Sequence, residues 1–119
     1  AFYRQLLRIA RSEKAITQGD MYDLTYAQGE GFNKHEQYAF IRKYKKQTLL
    51  VVLNFDDRQV DVQVRIPKDA FEYLKLEEES LAKAEDLLTG TEYTFPLHPH
   101  TPICLTLPAW KGVILKIKG

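Results

Sequence analysis

The sequence predicts an all-β fold: an antiparallel β-sandwich of Greek-key type with about seven to eight strands, preceded by one N-terminal amphipathic helix. Three observations carry this. Residues 38–44 alternate polar and apolar, whereas Leu49-Leu50-Val51-Val52-Leu53 is apolar at successive positions, so that second run must be covered on both faces. Val60, Val62, Val64 and Ile66 alternate with Asp61, Gln63 and Arg65, the cleanest period-two signal in the chain. Beyond residue 86, Gly90, Pro96, Pro99, Pro102, Pro108 and Gly112 cut the chain into short runs, a spacing that favours an antiparallel sandwich over a parallel sheet crossed by helices.

Taken in order, Phe2, Leu6, Ile9 and Ala10 recur at helical spacing, with Leu7 broadening the stripe and Arg4, Arg8 and Arg11 on other faces. A run of ~12 residues at 1.5 Å each makes a helix about 18 Å long. Its apolar face needs a partner, either the sandwich or a second copy of the chain, the latter giving a homodimer. Gly19-Asp20 marks a turn, which divides residues 1–19, helix and linker, from a sandwich over 20–119. Residues 21–27 are expected to form a strand with Tyr22, Leu24 and Tyr26 on one face, and residues 28–37 a loop containing Gly29-Glu30-Gly31. The hairpin follows, turning at Lys45-Lys46-Gln47, and then the 59–66 strand, which Pro67 ends because proline donates nothing to a ladder. Residues 68–83 read as the long connection, part helix and part loop, with Glu77-Glu78-Glu79 solvated. Short strands are expected at 86–89, 93–97, 103–107 and 113–117.

A chain of 119 residues buries roughly two-thirds of its unfolded surface, enough for a core without metals or disulfides. Seventeen Lys and Arg against sixteen Asp and Glu leave a net charge of +1, too weak a field to attract nucleic acid or an anionic membrane. No apolar run approaches the ~20 residues that span a bilayer, and the first residues lack a signal peptide's long apolar stretch. The single Cys104, between Ile103 and Leu105, is expected to be a buried, inert thiol.

Few residue patterns point to chemistry, and neither a metal nor a cofactor is expected. His98-Pro99-His100 sets two imidazoles on one side of an extended segment, but no third ligand accompanies them, so a surface loop is the better account. Asp56-Asp57 ahead of Arg58 has the composition of a turn. Gly29-Glu30-Gly31 lacks the third glycine and the Lys-Ser/Thr of a phosphate loop. Tyr38, Phe40 and Tyr44 among Arg42, Lys43, Lys45 and Lys46 imitate a single-strand nucleic-acid platform, yet the balanced charge elsewhere favours a solvated basic hairpin. Most aromatics fall on strand periods and so belong to the core. Trp110, in Pro108-Ala109-Trp110-Lys111-Gly112, occurs in a turn; together with Tyr93 it is a candidate sugar contact.

In order and spacing, Tyr38-Ala39-Phe40-Ile41-Arg42, Leu49-Leu50-Val51-Val52-Leu53-Asn54-Phe55, Asp86-Leu87-Leu88-Thr89-Gly90 and Gly112-Val113-Ile114-Leu115-Lys116 resemble the C-terminal β-sandwich of the α-amylase superfamily of glycoside hydrolases. Phe2-Tyr3-Arg4-Gln5-Leu6-Leu7-Arg8-Ile9 is similar to the last helix of that family's catalytic barrel, and Ala15-Ile16, Gly19 and Tyr22 to the link that follows it. The resemblance implies a non-catalytic accessory domain of an enzyme acting on α-glucans. Its partner would be the catalytic barrel of the same polypeptide, whose loops hold the acid and nucleophile carboxylates. It also leaves α-glucan as a candidate ligand. An autonomous carbohydrate-binding module is the alternative, and the opening helix argues against it, because a self-contained module has no use for a barrel-type amphipathic helix.

Overall fold

The structure, a computed structural model, describes residues 20–25, 28, 32–33, 36–44, 47–99 and 101–118. The expected N-terminal helix, Gly29-Glu30-Gly31 and His100 lie outside the described residues. The described elements run β1 (Asp20–Asp23), β2 (Gln37–Tyr44), β3 (Gln47–Asn54), β4 (Val60–Val64), α1 (Lys68–Leu74), β5 (Glu79–Asp86), β6 (Glu92–Leu97), β7 (Ile103–Leu107) and β8 (Gly112–Lys118). Six strands form one sheet in the order β1-β2-β3-β8-β5-β6, and β4 and β7 form a second. Every pairing is antiparallel.

The β2–β3 hairpin is in register from Tyr44↔Gln47 to Gln37↔Asn54, and β8 pairs the other side of β3 from Thr48↔Ile117 to Leu53↔Gly112. β3 is therefore a central strand, and its unbroken apolar run serves two faces. Leu50 and Val52 join Ala39, Ile41, Val113 and Leu115 in one large core, completed from the small sheet by Val62, Val64, Ile103, Leu105 and Leu107. Leu49 and Val51 point the other way and form a second cluster with Ile114, edged by Phe40, Tyr44, Leu53, Leu87 and Leu88. Leu53, expected to be as buried as its neighbours, is only partly so, because it sits at the rim of that second cluster.

Three segments differ from the sequence expectation. β1 ends at Asp23 rather than at residue 27: the Asp23 carboxylate accepts the Thr25 N–H at 2.8 Å and turns the chain. Residues 68–83 hold an ordered helix and most of a strand. In α1, Ala70, Phe71 and Leu74 bury one stripe against the core, and Lys75 ends the helix in the left-handed region at φ 55°, with the Leu76 N–H bonded back to the Phe71 carbonyl at 2.9 Å. Lys43 Nζ donates to the Lys75 carbonyl at 2.8 Å, and the Tyr22 and Tyr73 rings lie 5.9 Å apart, which ties the helix to β1 and β2. Residues 87–89, expected as part of a strand, form a turn instead. Asp86 makes it. Its Oδ1 accepts the N–H groups of Leu88 (3.1 Å) and Ile114 (3.2 Å), its Oδ2 accepts the Thr89 hydroxyl (3.0 Å), and its backbone carbonyl accepts the N–H of Gly90, which sits at φ 79°.

Candidate functional site

At one end of the two sheets, β3 turns into β4 through residues 55–59 and β7 turns into β8 through residues 108–111. Asn54 holds these turns together. Its side chain, 1 % exposed, donates through Nδ2 to the carbonyls of Arg58 (3.0 Å), Pro108 (3.1 Å) and, more weakly, Leu107 (3.4 Å). Oδ1 accepts from Gln37 Nε2 (3.1 Å) and from the Asp56 N–H (3.0 Å). Only an amide offers two donors and two lone pairs in so small a volume. Gln37, also buried, extends the network by accepting the Asn33 N–H at 2.8 Å. Three backbone bonds stitch the same region: Asn54 N–H to Lys111 O (2.8 Å), Phe55 N–H to Glu36 O (2.7 Å) and Trp110 N–H to Asp56 O (3.2 Å).

On this fixed base stand two exposed aromatics, Phe55 at 51 % and Trp110 at 62 %. Trp110 has φ 59°, a region that bulky residues rarely occupy. Beside them Asp57, Arg58 and Lys111 are exposed. Arg58 Nε lies 3.5 Å from Asp56 Oδ1 and 4.0 Å from Asp57 Oδ1, pairs that add little stability at a surface. Burial pushes the Asp56 carboxyl up, but its hydrogen bonds with Asp57 and Arg58 and the guanidinium charge outweigh that and hold it below the usual carboxylate range. The chemistry on offer is flat apolar surface next to polar groups of both signs. Among the described residues, no three His, Cys, Asp or Glu side chains group to hold a metal ion.

The two candidate sugar contacts are not brought together. Tyr93 lies on β6 opposite Ala84, which pairs in turn with Ile117, while Trp110 precedes Gly112 at the other end of β8. The five steps from Gly112 to Ile117 alone measure about 17 Å. Tyr93 is half-buried against the core, and burial, with the Asp86 charge in second place, pushes its phenol above the ordinary value. Phe55, which directly follows β3, is the aromatic that shares the Trp110 end.

The other singled-out residues fall as follows. Asp56 and Asp57 occupy a turn, as their composition suggests. His98 Nδ1 lies 3.0 Å from Glu78 Oε1 at the surface, an ion pair when the ring is protonated. Cys104 is exposed, not buried: β7 alternates strictly, with Ile103, Leu105 and Leu107 inward, so Cys104 takes the outer face opposite Gln63. Its apolar neighbours in sequence are no guide, because adjacent residues of a strand face opposite ways.

Compared with known proteins, residues 32–114 match the family described as Maltogenic Amylase, C-terminal domain. The chain belongs to this family. A search of the curated proteins returned no match. Among solved structures, a maltogenic α-amylase from Thermotoga neapolitana superposes with a TM-score of 0.66 at 11 % identity, over 96 % of this chain and 24 % of that one. An Anoxybacillus α-amylase gives 0.65 at 16 % identity, over 98 % and 21 %. A trehalulose synthase gives 0.57 at 25 % identity, over 98 % and 17 %. The chain thus spans about a fifth of the length of these enzymes. Its two antiparallel sheets are those of an α-amylase superfamily C-terminal domain.

Proposed function

We propose that this chain acts as a non-catalytic accessory domain of an α-amylase-type glycoside hydrolase on α-glucans, stabilising the catalytic barrel of the same polypeptide. The family match over residues 32–114, to a domain named for its C-terminal position in maltogenic amylases, is the observation that carries the reading. The second apolar cluster supports it. Leu49, Val51 and Ile114 are buried on the face of the large sheet turned away from β4 and β7, which suits a middle layer with further structure on its far side. In this reading the two sheets are a Greek-key sandwich over 20–119, and residues 1–19 are the helix and linker between barrel and sandwich. If that helix has no barrel to cover it, its stripe pairs with a second chain.

The test is removal. Deleting residues 20–119 from the full-length polypeptide should lower its melting temperature and its yield of soluble, active enzyme. A truncated enzyme as stable and active as the intact one would end the reading.

A further inference from the structure

We propose that Phe55 and Trp110 form a surface site for an α-glucan chain, the α-glucan identity resting on the accessory-domain reading above. The two rings stand on adjacent turns joined by the Trp110 N–H to Asp56 carbonyl bond of 3.2 Å, and both turns are anchored on the buried Asn54 amide. The turns that carry them are therefore held by hydrogen bonds beneath them. Such preorganisation lowers the ordering cost of binding.

Trp110 is the stronger half of the argument. A turn that holds φ 59° favours glycine or asparagine, and an indole there is both strained and 62 % exposed. Neither cost helps folding. Backbone outliers of this kind persist only where the surrounding structure holds them, and they cluster at ligand-binding and active sites. The ligand class follows from what surrounds the rings. Asp56 and Asp57 offset Arg58 and Lys111, so the site carries no net charge and has no attraction for phosphate, nucleic acid or an anionic lipid surface. A glucose unit has an apolar face of C–H groups to lie on a flat ring and a rim of hydroxyls for carboxylate, guanidinium and ammonium partners. Two rings on neighbouring turns suit an oligomer better than a single sugar.

The chain holds a single tryptophan, so its indole fluorescence reports this site alone. Titrating the 119-residue chain with maltoheptaose should shift that emission to a plateau, whereas cellohexaose, with the other linkage, should leave it unchanged. Phe55→Ala should weaken the maltoheptaose response about tenfold, equivalent to 1.4 kcal/mol. Trp110→Gly relieves the positive φ, so it should melt higher than the parent chain while losing retention on an amylose affinity gel. A purely structural tryptophan would give the opposite pair of results. An emission that ignores maltoheptaose, or responds equally in Phe55→Ala, overturns the proposal. So does an indole that is quencher-accessible in the isolated chain but shielded in the full-length polypeptide without sugar, since the face would then be a contact between domains. Each of these leaves the accessory role intact, because that role is judged by the stability of the truncated enzyme.

Discussion

The Gln37 Nε2 to Asn54 Oδ1 hydrogen bond, 3.1 Å long, joins two side chains that are almost entirely removed from solvent at the end of the sheets where β2 begins and β3 stops. A buried polar group is costly unless every partner is present, so this pair and the carbonyls it serves act as one network. Asn54→Ala strands Gln37 and the carbonyls of Arg58 and Pro108, and should cost about 2 kcal/mol or more. Asn54→Asp should be no better despite its shape, because a carboxylate has no N–H to donate to those carbonyls. Urea unfolding measures both; an aspartate variant as stable as the parent would refute the network.

The core makes a second, simpler prediction. Leu50 is fully buried between the sheets, whereas Asp61 sits on the outer face of β4, where its carboxylate accepts the Thr106 hydroxyl at 2.7 Å. Leu50→Ala should cost about 2 to 5 kcal/mol through lost burial and the cavity left behind. Asp61→Ala should stay within about 0.5 kcal/mol. Equal losses from the two would mean that the strand faces are wrongly placed.

Gly112 opens β8 against Leu53, and a Cβ added there would overlap the Val52 carbonyl oxygen and lie 2.8 Å from Leu53 Cδ2. Gly112→Ala should therefore destabilise by about 1 to 3 kcal/mol through forced backbone movement. The neighbouring Lys111→Ala, on an exposed side chain, is the control and should be near neutral.

Alkaline pH should unfold the domain partly through two tyrosines. Burial raises the phenols of both Tyr38 and Tyr93, with the Asp23 and Asp86 charges as the respective second causes. A folded value above the unfolded one, about 10, means that the native state keeps a proton the unfolded chain releases. The stability this gives is complete below pH ~10 and is lost as pH rises through the folded value. Tyr93→Phe should flatten that decline, which thermal melts across the alkaline range will register. An unchanged slope would remove Tyr93 from the account.

The double substitution Leu6→Glu with Ile9→Glu addresses the N-terminal stripe. If the stripe mediates pairing of chains, sedimentation should show dimers in the parent chain and none in the variant, with the sheets still folded. Loss of the whole fold would instead make the segment part of the core and remove the argument for a barrel-type helix.

The strands legible in the sequence are those whose inward residues are large. β3 and β4 announce themselves through Leu and Val at the right period, and β7 and β8 do nearly as well. β5 does not, because its inward positions are Ala82, Ala84 and Asp86. Alanine favours helix over strand, and a buried aspartate looks like a turn residue until its partners, the N–H groups of Leu88 and Ile114, are known. At the candidate site Trp110 was visible from its turn-like neighbours. Phe55 was not, since it ends an apolar run and only the turn after Asn54 shows that it has left the sheet.

The most direct test of the accessory-domain account is hydrolysis by the chain itself. Purified as 119 residues and incubated with starch and maltooligosaccharides, it should release no reducing sugar above a blank. Turnover that co-purifies with the chain and disappears when one of its own carboxylates, such as Asp56 or Asp57, is changed to asparagine would contradict the account.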